Sequence, residues 1–328
     1  MKIFRGILTA LLLATLVSAC NGAERNSLPG AIYFSPAGEG IERLDLATGG
    51  VSTVMHRWND GYGWDISWDG TGGVRYKEPP SVFETNTGAR YILFDASNGA
   101  TLREITYFPY DGDDGGAPKI SPNGRLLALT PEFEDGLVIL DMSGNVLENI
   151  SNYGNTHRFK YQDAINWEAG GTILFKKDDG LWRTSADFSR AFKVRDIPFS
   201  DWTGHASASP DGTKIAISAG NHIWLMNADG SDFHAITESS QNEGWPVFSP
   251  DSQWLAITCN PGAASAANSE LEVYVTGTAP HLCIIPADGQ VYKVWPGEDN
   301  RVMHPQPRGA TDSRGFGMLM RAGFVWRP

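Results

Sequence analysis

The chain has 328 residues and a formal net charge of −12, from 38 acidic and 26 basic side chains. Nucleic-acid binding needs clustered lysine and arginine to neutralise phosphates, so this charge balance argues against a nucleic-acid partner. The length is enough for two small domains or for one large all-β domain.

The N-terminal segment has the layout of an export signal. Lys2 and Arg5 precede an apolar run, from Ile7 to Val17, that is too short to span a bilayer. The run is followed by Ser18-Ala19-Cys20, which with Val17 resembles the lipobox of bacterial lipoproteins. An ordinary secretory signal with an incidental cysteine is the alternative.

By this resemblance, residues 1–19 are a lipoprotein signal peptide, Cys20 is the lipidation site and residues 20–30 form a lipidated tether. The next residue, Asn21, is not the aspartate that serves enteric bacteria as an inner-membrane retention cue. We therefore expect a lipid-anchored protein of the cell envelope, attached to the outer membrane and facing the periplasm. Exposure on the cell surface is the alternative.

A strand–turn–strand pattern recurs along the rest of the chain. Its turn has the sequence Ser-Pro-Asp-Gly or a close variant. These residues suit a tight turn, because proline presets φ, aspartate accepts backbone hydrogen bonds and glycine takes positive φ. The copies lie at 65–76, 119–129, 165–175, 208–217 and 248–257. Second hairpins lie at 41–54, 92–106, 138–150, 223–237 and 282–295, with a degenerate copy at 181–194.

Two hairpins per unit make four strands. Units begin near Ser67, Ser121, Asn166, Ser209 and Ser249, at spacings close to those of four-stranded propeller blades. These repeats resemble those of TolB-type β-propellers, which are related to WD40 propellers. The resemblance covers roughly residues 31–328 and is weakest at 163–196, and the chain has no room for the α/β domain that precedes the propeller in TolB.

The resemblance implies an all-β fold, and the number of repeats predicts a six-bladed β-propeller with four-stranded blades. The ring is expected to close through strands shared between the two ends of the chain. We expect an inner strand before Gln306-Pro307-Arg308-Gly309, which aligns with the repeated turn, and outer strands from the 41–54 hairpin. Seven blades are the alternative.

The chain has three cysteines. If Cys20 carries lipid, Cys259 and Cys283 remain as an even pair in an oxidising compartment, where disulfides persist. We therefore expect a disulfide between them. Two free buried thiols are the alternative.

Residues two to four positions before the turn serine enter the channel of such a ring. These positions and their neighbours supply the channel or ligand-binding candidates Trp64, Asp65, Lys119, Gln162, Asp163, His205, Trp245, His304 and Gln306. Charged groups beside indoles suit a small polar ligand or a peptide segment held by stacking and hydrogen bonds. The alternatives are that the polar residues line a water-filled pore, and that Trp64 packs between blades.

TolB-like propellers also include oligogalacturonate lyases, which bind a metal ion through histidines and a glutamine. By that resemblance His205, His304 and Gln306 are metal-ligand candidates, since imidazole and amide oxygen bind divalent cations. No cofactor is the main expectation, and a divalent metal ion in the channel is the alternative. The acidic stretch 111–116 lacks the ligand spacing of a calcium loop, so we expect a solvated loop there.

The common nucleophile, zinc and phosphate-binding motifs do not occur in the chain. We therefore expect a non-enzymatic binding or scaffold module for an envelope protein or peptide. One alternative is a metal-dependent lyase or hydrolase acting on oligosaccharides, and another is a sugar or small-molecule binding protein. The long insertion at 71–90 is a second candidate binding surface.

Overall fold

The fold is all-β throughout the part of the chain that the computed structural model describes. The described residues are 28–36, 40–56, 63–77, 88–109, 116–131, 136–153, 157–159, 164–240, 242–260, 281–306, 308 and 320–328. Within these ranges no helix is long and apolar enough to cross a membrane.

The strands alternate with turns in chain order. Those of the first half are β1 (Ala31–Pro36), β2 (Ile41–Asp45), β3 (Val51–Met55), β4 (Trp64–Ile66), β5 (Gly72–Lys77), β6 (Ala89–Asp95), β7 (Thr101–Tyr107), β8 (Lys119–Ile120), β9 (Leu126–Leu129), β10 (Leu137–Asp141), β11 (Val146–Ile150), β12 (Asn152–Tyr153) and β13 (His157–Arg158). Those of the second half are β14 (Ile165–Trp167), β15 (Ile173–Lys177), β16 (Gly180–Thr184), β17 (Ala191–Asp196), β18 (Ala206–Ala208), β19 (Lys214–Ala219), β20 (His222–Asn227), β21 (His234–Ala235), β22 (Asn242–Phe248), β23 (Trp254–Asn260), β24 (His281–Pro286) and β25 (Met320–Arg327).

These strands form the six blades that the repeats predict. Blade one is β25-β1-β2-β3, blade two β4 to β7, blade three β8 to β11, blade four β14 to β17 and blade five β18 to β21. Blade six is β22-β23-β24, and an isolated bridge between Ile284 and Met303 extends its outer edge. The short hairpin β12–β13 follows blade three. Apolar clusters between neighbouring blades form the core.

The ring closes in blade one, where the C-terminal strand β25 pairs with β1 and the 41–54 hairpin supplies the outer strands. The prediction that the inner strand precedes Gln306 is wrong. That strand is β25, which places Trp326 opposite Ile32, and both side chains are buried. The segment that reaches Gln306 instead runs along the outer edge of blade six, because Met303 pairs with Ile284.

The two faces of the ring differ in their connections. We call the turn face the one that carries the short turns after inner strands, such as 67–71, and before outermost strands, such as 96–100. We call the opposite side the loop face. The strand ends that flank residues 78–87 and 261–280 lie there. Long connections on one side of a rigid scaffold are where binding groups concentrate.

Candidate functional site

Six residues, one from each blade, form the upper ring of the channel. Five of them lie four residues before the first residue of the turn that follows the inner strand, and Gly323 takes the equivalent place in β25, where it lies against Trp245. In blade order they are Gly323, Gly63, Ala117, Ala164, His205 and Trp245. Four of them are glycine or alanine. The two aromatic side chains therefore lie together on one side of this ring.

Trp245 enters the ring because its strand is distorted. The pairing of β22 with β23 shifts between Gly244 and Val247, so Trp245 and Pro246 form a bulge, which also accommodates the proline. Trp245 has φ of +51° and is 42% exposed. Its ring lies over Gly323, where an added Cβ would come within 3.1 Å of the indole. A bulky residue in the left-handed region is strained, and such strain clusters at functional sites.

His205 directly precedes β18, and its ring packs against that of Trp245. The two ring centroids are 4.1 Å apart, and the planes are tilted by 36°. Desolvation lowers the pKa of His205 to about 4, and the nearby Lys119 ammonium adds to the effect. The imidazole is therefore neutral near pH 7 and offers both a donor and an acceptor. Both flat rings face the channel, and each carries a ring nitrogen that can form hydrogen bonds.

A lower ring lies two residues further toward the turn face. It comprises Asp65, Lys119, Asn166, Ser207, Val247 and Val325. Two of its members connect neighbouring blades in the same way. The Asp65 carboxylate accepts the Ile120 backbone N–H at 2.9 Å, and the Ser207 hydroxyl accepts that of Phe248 at 3.3 Å.

Asp65 also holds the closing strand. Its carboxylate lies 3.4 Å from the Arg327 guanidinium, whose Nε donates to the Ile66 carbonyl at 2.8 Å. Burial lowers the pKa of Arg327, while the Asp65 charge raises it. Asp65 thus joins blades one, two and three. Because its oxygens are used in these contacts, the residue acts as a clamp between blades.

The other candidates have separate locations. Trp64 is buried with Tyr33 and Phe94 between blades one and two. His304 lies beside the disulfide, with Nδ1 3.5 Å from the Cys283 sulfur, and the backbone of Gln306 adjoins the β2–β3 turn at Gly49. Gln162, Asp163 and Cys20 lie outside the described residues, as do residues 78–87 of the stretch 71–90 and residues 111–115 of the acidic stretch. The two ends of 71–90 belong to β5 and β6.

In blade four the turn begins two residues later than the sequence alignment predicts, which is why Gln162 and Asp163 are among the predicted candidates. The Gly171 N–H donates to the Glu168 carbonyl, as the Gly212 N–H does to that of Ser209, so the turn begins at Glu168. The alignment on Asn166 was wrong by two residues. Asn166 therefore belongs to the lower ring, and Ala164 belongs to the upper ring. The sequence signal was present, because Glu168 precedes Gly170-Gly171 at the same distance as serine precedes glycine elsewhere.

The structure contains the predicted disulfide. Cys259 and Cys283 link the adjacent strands β23 and β24 across a sequence separation of 24 residues, and both are buried. The two histidines predicted as metal ligands lie on different blades. His205 lies directly before the inner strand of blade five, whereas His304 lies against the third strand of blade six. Among the residues that the structure describes, no group of three His, Cys, Asp or Glu side chains is arranged to hold a metal ion.

Sequence reasoning missed a buried polar cluster near the loop face. The Glu243 carboxylate, on β22, accepts hydrogen bonds from the Ser239 hydroxyl and from Thr237 at 3.0 Å, and lies 2.8 Å from Nδ1 of His222. Burial raises the pKa of Glu243, although these hydrogen bonds oppose the shift. The cluster joins blades five and six at the loop-face end of β22, two residues before Trp245. Its residues are scattered between repeats, so no spacing in the sequence marked them.

Solved structures share this architecture. A protein provisionally described as TolB from Agrobacterium tumefaciens aligns over 80% of this chain and 87% of its own, with a TM-score of 0.53 and 14% identity. TolB from Acinetobacter baumannii aligns over 88% of this chain and 70% of its own, with a TM-score of 0.54 and 16% identity.

The fold is a TolB-like β-propeller. No protein-family model and no curated protein matches the chain. At these identities the likeness establishes the fold alone.

Proposed function

We propose that this TolB-like propeller is a lipid-anchored envelope protein that binds a segment of a partner protein at the loop-face end of its channel. The observation that carries the proposal is Trp245. A bulge and a left-handed backbone hold this indole partly exposed in a ring where four of six residues have no side chain beyond Cβ. Strained, exposed aromatic residues of this kind are typical of binding anchors.

The surrounding chemistry suits a polypeptide. Trp245 and His205 offer flat surfaces for stacking, and the neutral imidazole hydrogen-bonds in both directions. Asn166 and Ser207 lie one layer below with polar groups, and Lys119 supplies a positive charge. A peptide segment with an acidic side chain or a terminal carboxylate would satisfy these groups together.

Site-specific photocrosslinking in intact cells tests the proposal. A photoreactive phenylalanine replaces Trp245 in one strain and Phe192 in another. Phe192 is a matched control, because it is a 51% exposed aromatic residue on the outermost strand of blade four. We expect a discrete protein adduct from position 245 and none from position 192. Adducts from neither position, or from both equally, would refute binding at the channel mouth.

The anchor is tested separately. Replacing Cys20 with serine is expected to abolish incorporation of labelled palmitate and to move the protein from the membrane fraction to the soluble fraction. Palmitate incorporation that persists in Cys20→Ser would contradict lipidation at Cys20. Adduct formation at position 245 does not depend on this result, so the two parts of the proposal stand or fall independently.

A further inference from the structure

We infer that the lipid tether holds the turn face of the propeller toward the membrane, so that the Trp245 end of the channel faces the aqueous compartment. This inference rests on the proposed lipidation of Cys20. It adds the direction from which a partner reaches the site, which neither the fold nor the lipobox specifies.

The tether joins the propeller at a fixed point. Leu28 is 5% exposed and packs in the cluster that contains Leu46 and Trp326. The Trp326 indole donates to the Pro29 carbonyl at 2.7 Å, and the Leu46 N–H donates to the Gly30 carbonyl at 3.3 Å. The chain is therefore part of the rigid fold from Leu28 onward.

This fixed point lies on the turn face. Leu46 begins the β2–β3 turn, and Gly30 abuts the backbone of Arg327 at the end of β25. Pro328 follows Arg327 and lies against Gly70, in the β4–β5 turn of blade two. From this root β1 runs toward the loop face. Trp245 and His205 lie further toward the loop face, four residues before the turns that follow the inner strands of blades six and five.

The length of the tether limits how the propeller can be oriented relative to the membrane. Seven residues lie between Cys20 and Leu28. The eight steps from Cys20 to Leu28 span at most about 28 Å when the chain is fully extended. The inner strand β25 has 8 residues and is about 25 Å long. Turning the loop face to the bilayer would require the tether to run along the whole height of a blade. That path would use nearly all of its length.

Charge keeps the turn face from lying flat on the lipid. Its turns carry the carboxylates of Asp45, Asp69, Asp95, Asp141, Asp187, Asp211, Asp229, Asp251 and Asp288. Hydrogen bonds hold several of these ionised, as where the Ser67 hydroxyl lowers the pKa of Asp69. An anionic bilayer repels such a face within a Debye length, about 8 Å at physiological salt. The tether is long enough to allow that gap.

Fluorescence resonance energy transfer from the protein to dyes in the membrane measures the orientation of the propeller. The full lipidated protein, with a donor dye on a single introduced cysteine, is reconstituted into phosphatidylethanolamine–phosphatidylglycerol vesicles that carry an acceptor dye on the lipid headgroups. Ala186→Cys and Asp179→Cys form a matched pair in blade four. Both positions are exposed, and they lie at opposite ends of β16, on the turn face and the loop face respectively. The native pair Cys259–Cys283 is bonded and does not react.

We expect higher transfer efficiency from Ala186→Cys than from Asp179→Cys. Inserting 20 Gly/Ser residues after Ala23 should reduce the difference, because a long flexible tether no longer restricts rotation. Equal or reversed transfer with the native tether would overturn the inference, and so would a difference that the insertion leaves unchanged. A purified protein whose mass shows no lipid and which does not bind the vesicles would overturn the anchor as well.

Discussion

We expect the native protein to lose stability on acidification because of His205, and we expect His205→Gln to remove that loss. The pKa of His205 is lowered from 6.5 to about 4 in the folded chain, so the unfolded chain takes up this proton first as the pH falls. The neutral imidazole therefore stabilises the fold fully above pH 6.5, and this contribution is lost between pH 6.5 and pH 4. The corresponding free energy is about 2–3 kcal/mol at pH 4.5.

Urea unfolding at pH 7 and pH 4.5 measures the effect. Other groups also titrate in this interval, so the informative quantity is the difference between wild type and His205→Gln in their change with pH. We expect the wild type to lose about 1–3 kcal/mol more than the variant, where the lower figure allows for partial solvent access. The same pH dependence in both proteins would refute a buried, neutral His205 beside Lys119.

Further substitutions test the disulfide within blade six and the contacts of Asp65 between blades. Replacing both Cys259 and Cys283 with serine should lower the free energy of unfolding by about 3.5 kcal/mol from the length of the closed loop, and the urea midpoint should match that of the reduced wild type; an unchanged midpoint would contradict the disulfide. Asp65→Ala should cost about 3–5 kcal/mol in urea unfolding, because it leaves Arg327 buried without its partner and Ile120 without an acceptor. Asp65→Asn keeps an acceptor for the Ile120 N–H and should cost less, so equal losses from both variants would argue against that hydrogen bond.

Local turn chemistry explains why the blades were predictable. The turns at Ser67, Ser121, Ser209 and Ser249 each close with a backbone hydrogen bond to the serine carbonyl, and the hydroxyl caps the same turn. These bonds depend only on neighbouring residues, so the sequence marks them. The disulfide was predictable for a similar reason, because only two cysteines remained to pair once Cys20 was assigned to lipid.

Features set by contacts distant in sequence were not predictable in this way. Strand β25 has no turn after it to mark it as an inner strand, and its place depends on pairing with β1 nearly 300 residues away. The bulge that moves Trp245 into the channel depends on the register of β22 against β23. Asp65 was selected as a ligand candidate, but its clamp role requires Arg327 from the other end of the chain.

Affinity for the partner captured at position 245 tests the central claim most directly. Isothermal titration of that purified partner compares the soluble protein starting at Asn21 with Trp245→Gly and with Phe192→Ala. Glycine removes the indole and also suits the left-handed backbone, so the strand should keep its bulge. We predict that Trp245→Gly weakens binding at least tenfold and that Phe192→Ala changes it less than twofold. Unchanged affinity in Trp245→Gly, with its folding intact by circular dichroism, would contradict a binding site at the channel mouth.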